Sequence, residues 1–164
     1  MRRLLNHALT GRWHVSRMLS AGGSSEIARA VREAERGHSG QIRVVIEGTP
    51  GVGHVLKRRT ARDRAIDVFA HERVWDTTHN NGVLLYLMVA ERDAEIVADR
   101  GLNGRVSPEQ WHEICVTLER EVRTHGFARA ICSAVFAIGS RLREHFPAEG
   151  SDNELPDDVV IRGG

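Results

Sequence analysis

The side chains best suited to chemistry are hard oxygen donors flanking two apolar runs. Asp76, Asn80 and Asn81 precede the run VLLYLMVA at 83–90, and Asp99, Arg100 and Asn103 follow AEIVA at 94–98. Charged residues 91–93 join the two runs, the pattern of a β-hairpin, and in an antiparallel pair the start of one strand lies beside the end of its partner. Asn80 and Asn81 are therefore expected to meet Asp99 and Arg100, with Asp76 four residues upstream and Asn103 four downstream. Asp76, Asn80, Asn81, Asp99 and Asn103 make an oxygen set of the kind calcium or magnesium takes. Arg100 is the one catalytic candidate, a guanidinium able to hold phosphate oxygens. Asx residues at strand ends also serve turns and caps, a structural role open to Asn81 and Asn103. Asp93 lies about 20 Å from Asp99 along an extended strand, so it belongs at the other end of the sheet with Glu47 and Glu91.

Other signatures are missing. The sequence has no phosphate loop ending in Lys-Ser/Thr, no dinucleotide fingerprint, no His-Glu-x-x-His and no Cys-x-x-Cys. A cysteine-phosphatase loop needs an arginine six residues after the cysteine; Glu121 follows Cys115 at that distance and Ile138 follows Cys132. Arg123-Thr124-His125-Gly126 matches a histidine-phosphatase motif only loosely and sits at a helix end. The nine histidines are scattered, and His112 and Cys115, which share a helical face, read as a surface and a core residue. Both cysteines read as free, buried thiols.

The elements that must position the oxygen set follow from periodicity. Residues 24–36 carry Ile27, Ala30, Val31 and Ala34 at helical spacing behind a Ser-Ser-Glu start. QIRVVIE at 41–47 is a strand that runs into a Gly- and Pro-rich loop. A helix is expected over about 55–74, the hairpin over 80–100, and a loop over 101–108. Ser107-Pro108 opens a helix that ends at Gly126, and a last helix, apolar on more than one face, spans about 128–145. This order predicts an α/β chain, a three-layer α/β/α domain around a small mixed sheet with a central β-hairpin. Its first two strands should be parallel and its third antiparallel to the second.

Composition sets bounds on function. With 164 residues, 23 basic against 22 acidic side chains and 41% apolar content, the chain is one ordinary globular domain. Charge is unevenly placed: Arg2, Arg3, Arg12 and Arg17 make residues 1–24 a basic arm of +4, and residues 147–164 carry −4. The body between is balanced and lacks an aromatic-plus-basic platform, which excludes nucleic-acid binding. The longest strongly apolar run is eight residues, against about 20 for a membrane span. His7, Thr10, Gly11 and Arg12 break the start too early for a signal peptide. A cytoplasmic location is expected.

Residues 25–147, with the tail to 160, resemble the TPM domain family, named after a thylakoid lumen phosphatase, a photosystem repair protein and a nematode receptor modulator. The resemblance is carried by HSGQIRVVIE (38–47), VWDTTHNNGVLLYL (74–87), EIVADRGLNGRV (95–106), Trp111, HFP (145–147) and NELPD (153–157). It is strongest to short, leaderless bacterial members. It divides the chain into a basic arm (1–24), a TPM-like domain (25–147) and an acidic tail (148–164). It implies an α/β/α fold, divalent-ion binding in some members and phosphatase activity in the plastid branch. Exported members typically read Gly-Tyr-Gly-Leu-Glu after the hairpin; this chain has Asp99-Arg100-Gly101-Leu102-Asn103 there, leaving Asp99 as the nearest acid.

Two readings of function follow. The first is a cytoplasmic accessory or interaction domain that binds calcium or magnesium at one end of its sheet and needs no organic cofactor. The alternative is a divalent-metal-assisted phosphomonoesterase, with the ion at Asp76/Asp99 polarising the phosphate and Arg100 holding its oxygens. The expected partner is a protein, or a second copy, met through the charged arm and tail. Contact of residues 1–17 with a membrane surface, through Leu4, Leu5, Ala8 and Leu9 and the surrounding arginines, is the less favoured use of the arm.

Overall fold

The computed structural model describes residues 12–19, 21–49, 60–148 and 152–163. Its helices are α1 (Arg12–Met18), α2 (Gly23–Ala34), α3 (Ala61–His71), α4 (Pro108–His125) and α5 (Phe127–His145), and its strands are β1 (Gln41–Glu47), β2 (Gly82–Met88), β3 (Asp93–Ala98) and β4 (Val160–Arg162). Local chemistry sets the helix starts. Thr60 and Asp63 form a reciprocal capping box on α3, and Ser107 and Gln110 form another on α4, which has proline in its first turn.

The sheet order is β3-β2-β1-β4. β1 is parallel to β2 and to β4, and β2 is antiparallel to β3. Ile42, Val44, Ile46, Val83, Leu85, Leu87 and Ile96 point into a core shared with α2, α4 and α5. Val45, Leu84, Tyr86, Met88 and Val97 pack on the opposite face against Ala61, Ala65 and Val68 of α3. These are the three layers of an α/β/α sandwich, and β2 and β1, both buried along their whole length, are its interior strands.

Several features depart from the sequence reading. The helix expected over 55–74 spans 61–71, and residues 55–59 of that stretch lie outside the described residues. The loop after β3 contains a 3-10 turn at Arg100–Leu102. Within the arm, Val15 and Leu19 are fully buried in the core, because α1 turns an apolar side inward; Leu4, Leu5, Ala8 and Leu9 fall outside the described residues. The tail adds β4, registered Val45↔Val160 to Glu47↔Arg162.

The tail is seated by polar residues of β1. Gln41 and Arg43 are buried, at 2% and 6% exposure. The Gln41 amide accepts the Glu154 and Leu155 N–H groups at 2.8 and 3.1 Å and donates to the Asp152 carbonyl at 3.3 Å. Arg43 donates to the Pro156 and Asp158 carbonyls at 2.6 and 2.8 Å and pairs with Glu72 at 3.1 Å. Arg162 also pairs with Glu72. No helix among the described residues is long and apolar enough to cross a membrane.

Candidate functional site

The start of β2 and the end of β3 meet as antiparallel pairing requires. Asp99 N–H donates to the Gly82 carbonyl at 2.9 Å, and Gly101 N–H to the Asn80 carbonyl at 2.8 Å. Arg100 Nε donates to Asn80 Oδ1 at 2.9 Å. Asn80 holds a left-handed φ of 51°, a conformation asparagine tolerates better than most residues. Four of the six expected residues, Asn80, Asn81, Asp99 and Arg100, thus lie at one sheet end, with Asn81 on the Val83 face and Asp99 on the Val97 face by strand alternation.

Two oxygens at this sheet end stand out. Asp99 is 8% exposed; its Oδ1 accepts the Arg100 N–H at 2.7 Å and caps the 3-10 turn. Asn81 is fully buried; its Nδ2 donates to Ser39 Oγ at 3.1 Å, and its backbone N–H donates to Thr77 Oγ1 at 3.1 Å. Asp99 Oδ2 and Asn81 Oδ1 are buried and have no hydrogen-bond partner among the described residues. A buried acceptor left unpaired costs about 1–3 kcal/mol, so each oxygen calls for a donor, a water or an ion.

Asp76 and Asn103 go elsewhere. Asp76 is half-exposed and pairs at 2.7 Å with Arg73, whose own φ of 55° turns the chain. This local i, i+3 pair takes the carboxylate before it can reach the sheet end. Asn103 is exposed and lines a groove of about 560 Å³ between β3 and α4, beside Trp111 and His112. Among the described residues no group of three or more His, Cys, Asp or Glu side chains is arranged to hold a metal.

The opposite sheet end has separate chemistry. The register puts Glu47, Met88 and Asp93 in one row. Glu47 receives Arg64 in a two-point ion pair at 2.7 and 2.8 Å and the Tyr86 hydroxyl. Burial pushes the Glu47 carboxyl up, but Arg64 and Tyr86 outweigh it and hold it below the usual glutamate range. Asp93 is pushed up by burial and by Glu95, Glu119 and Glu91. Burial raises the Cys115 thiol to about 12 and the Cys132 thiol to about 11, so neither is an activated nucleophile.

The residues that hold the site loop were not among those expected. Glu154 Oε2 accepts both the N–H and the hydroxyl of Thr78, at 2.9 and 2.7 Å, so the tail grips the loop just before Asn80. The available signal was the polar alternation of Gln41, Arg43 and Glu47 in a β-branched strand, which demands buried partners.

Comparison with known proteins adds the lineage. The model of the TPM domain matches residues 15–141. Among solved structures, the BA42 protein of the psychrophilic bacterium Bizionia argentinensis is similar at 29% identity and a TM-score of 0.74, covering 87% of this chain and 94% of that one. The N-terminal domain of a P. gingivalis protein shares the fold at 20% identity and a TM-score of 0.62, covering 80% of this chain and 83% of that one. No curated protein matches the chain in sequence.

Proposed function

The chain belongs to the TPM domain family, and from that premise we propose that it is an accessory or interaction domain of the bacterial cytoplasm that binds calcium or magnesium at the β2–β3 end of its sheet. The observation that carries this reading is Asp99 Oδ2, a buried carboxylate oxygen without a hydrogen-bond partner among the described residues. Hard divalent cations take carboxylate and amide oxygens, and Asp99 Oδ2 fits that demand. With one formal charge in the set, the site suits a weakly held ion that keeps several waters. A bound ion would give this sheet end a positive charge able to meet an anionic oxygen of a partner. Two free thiols fit a reducing compartment.

The test is calorimetric titration of the full chain with calcium and with magnesium, run beside hydrolysis of an aryl phosphate with each cation. Asp99→Asn keeps the cap on Arg100 and removes the charge, so it should weaken cation binding at least about tenfold, or about 1.4 kcal/mol. Binding without turnover supports the accessory reading. Cation-dependent turnover that disappears in Asp99→Ala would replace it with the hydrolase reading. No binding of either cation would overturn the site.

A further inference from the structure

A second acid pair lies away from that site, where the tail crosses α2. Glu35, at the C-terminal end of α2, accepts the Ile42 N–H on Oε1 at 2.7 Å, and its carboxyl hydrogen-bonds that of Asp157. Asp157 also receives Asn153 Nδ2 at 2.8 Å and has Arg32 at 3.8 Å. The two carboxyls line a pocket of about 440 Å³ with Arg32, Arg36, Gln41 and Asp152. The other charges packed around α2 here are committed: Arg36 pairs with Glu33 at 3.4 Å, and Arg143 of α5 donates to the Ala34 and Arg36 carbonyls. Among the described residues Arg32 is thus the one cation paired with Asp157, and it is a long, half-exposed contact.

We propose that Glu35 and Asp157 form a proton-operated latch: the proton of the Glu35 carboxyl, donated to Asp157, holds residues 152–158 against α2, and its loss loosens that strap. Two carboxylates in contact cannot both ionise without strong repulsion. The proton passes to solvent base as pH rises, leaving two negative groups facing each other inside the α2–tail junction. Burial first, and Asp157 after it, pushes the Glu35 carboxyl up to about 8, which puts the release within reach of mildly alkaline conditions. The strap spans the places where the tail touches the body: Gln41, Arg43, and Thr78 through Glu154. A loosened strap therefore also frees the loop that leads to Asn80 and Asn81. The latch itself rests on tail packing alone and does not depend on the cation reading.

The experiment is methyl NMR on the full chain, without added metal, from about pH 6 to about pH 9.5. Leu155, within the strap, is 7% exposed, and Ile131 is fully buried in the other core. Leu155 methyl signals should move toward exposed positions with a midpoint near 8 while Ile131 signals hold. Glu35→Gln supplies a permanent amide in place of that proton and should abolish the transition. If that variant does not fold, Asp157→Asn is used: it removes the second negative group and its amide donates to the Glu35 carboxylate, so the transition should again be abolished. Leu155 signals unchanged across the range, or a transition retained in the variants, would overturn the latch.

Discussion

Replacing Gly101 by alanine would press a methyl group into the backbone that carries Asn80. A Cβ at Gly101 stands 2.5 Å from the Asn80 carbonyl oxygen and 2.6 Å from that of His79. Ordinary contacts lie near 3.5 Å, so the loop has to retreat by roughly 1 Å, and neither obstacle is a flexible side chain. The retreat breaks the 2.8 Å bond from Gly101 N–H to Asn80 and shifts Asn80 away from Arg100. Overpacking of about 1–3 kcal/mol and a lost hydrogen bond of about 1 kcal/mol give about 2–4 kcal/mol. At about 2–4 °C per kcal/mol for a chain of this size, Tm falls by about 4–16 °C. Gly104 is the control: its Cβ meets nothing within 4 Å, and only its φ of 72° penalises alanine, by about 1–2 kcal/mol. Thermal and urea unfolding by circular dichroism, with amide spectra of Asn80 and Asn81, separate the two. The reasoning fails if Gly101→Ala is no less stable than Gly104→Ala and leaves the Asn80 and Asn81 resonances in place.

Glu35 makes stability depend on pH in the alkaline direction. Its folded pKa of about 8 exceeds the ordinary 4.5, so between those values the native state holds a proton that the unfolded chain has lost, and stability falls with rising pH by up to about 1.4 kcal/mol per unit. The contribution is complete below about 4.5 and gone above about 8; urea melts of Glu35→Gln should lack this slope. Tyr86→Phe removes the hydroxyl donor to Glu47 and should cost about 1.5–3 kcal/mol in urea unfolding. Because the folded Glu47 carboxyl is depressed, its stabilisation is present above the ordinary glutamate pKa and lost as pH falls through the lowered value. Tyr86→Phe should therefore raise the acid-unfolding midpoint; an unchanged midpoint would show that the hydroxyl does not hold the charge. Cys115 and Cys132, with thiols near 12 and 11, should alkylate at neutral pH far more slowly than a free thiol near 8.5. Rapid labelling of native Cys115 would contradict its burial.

What was legible in the sequence was what local pattern controls. β1 occupies the β-branched run at 41–47, α4 begins where Ser107-Pro108 places it, and the hairpin brings Asn80 and Asn81 to Asp99 and Arg100. The tail strand was not legible, because Val160–Arg162 is only three residues and pairs with an edge more than a hundred residues upstream. Its trace was indirect: Gln41 and Arg43 are polar in a buried strand and need the tail carbonyls and amides as partners. Asp76 illustrates a competing local interaction. Spacing puts it within reach of the sheet end, but Arg73 three residues away takes its carboxylate on the surface. The arm shows the limit of charge as a guide, since Val15 and Leu19 enter the core from a segment singled out by its arginines.

The proposed divalent cation at the Asp99 end of the sheet is tested most directly by titrating the labelled full chain with calcium or magnesium while following its amide and side-chain NMR signals. The account predicts saturable shifts centred on the backbone amides of Asp99, Arg100 and Gly101, abolished in Asp99→Asn. Saturable shifts centred on the Glu91–Glu95 end, or none at all, would contradict it.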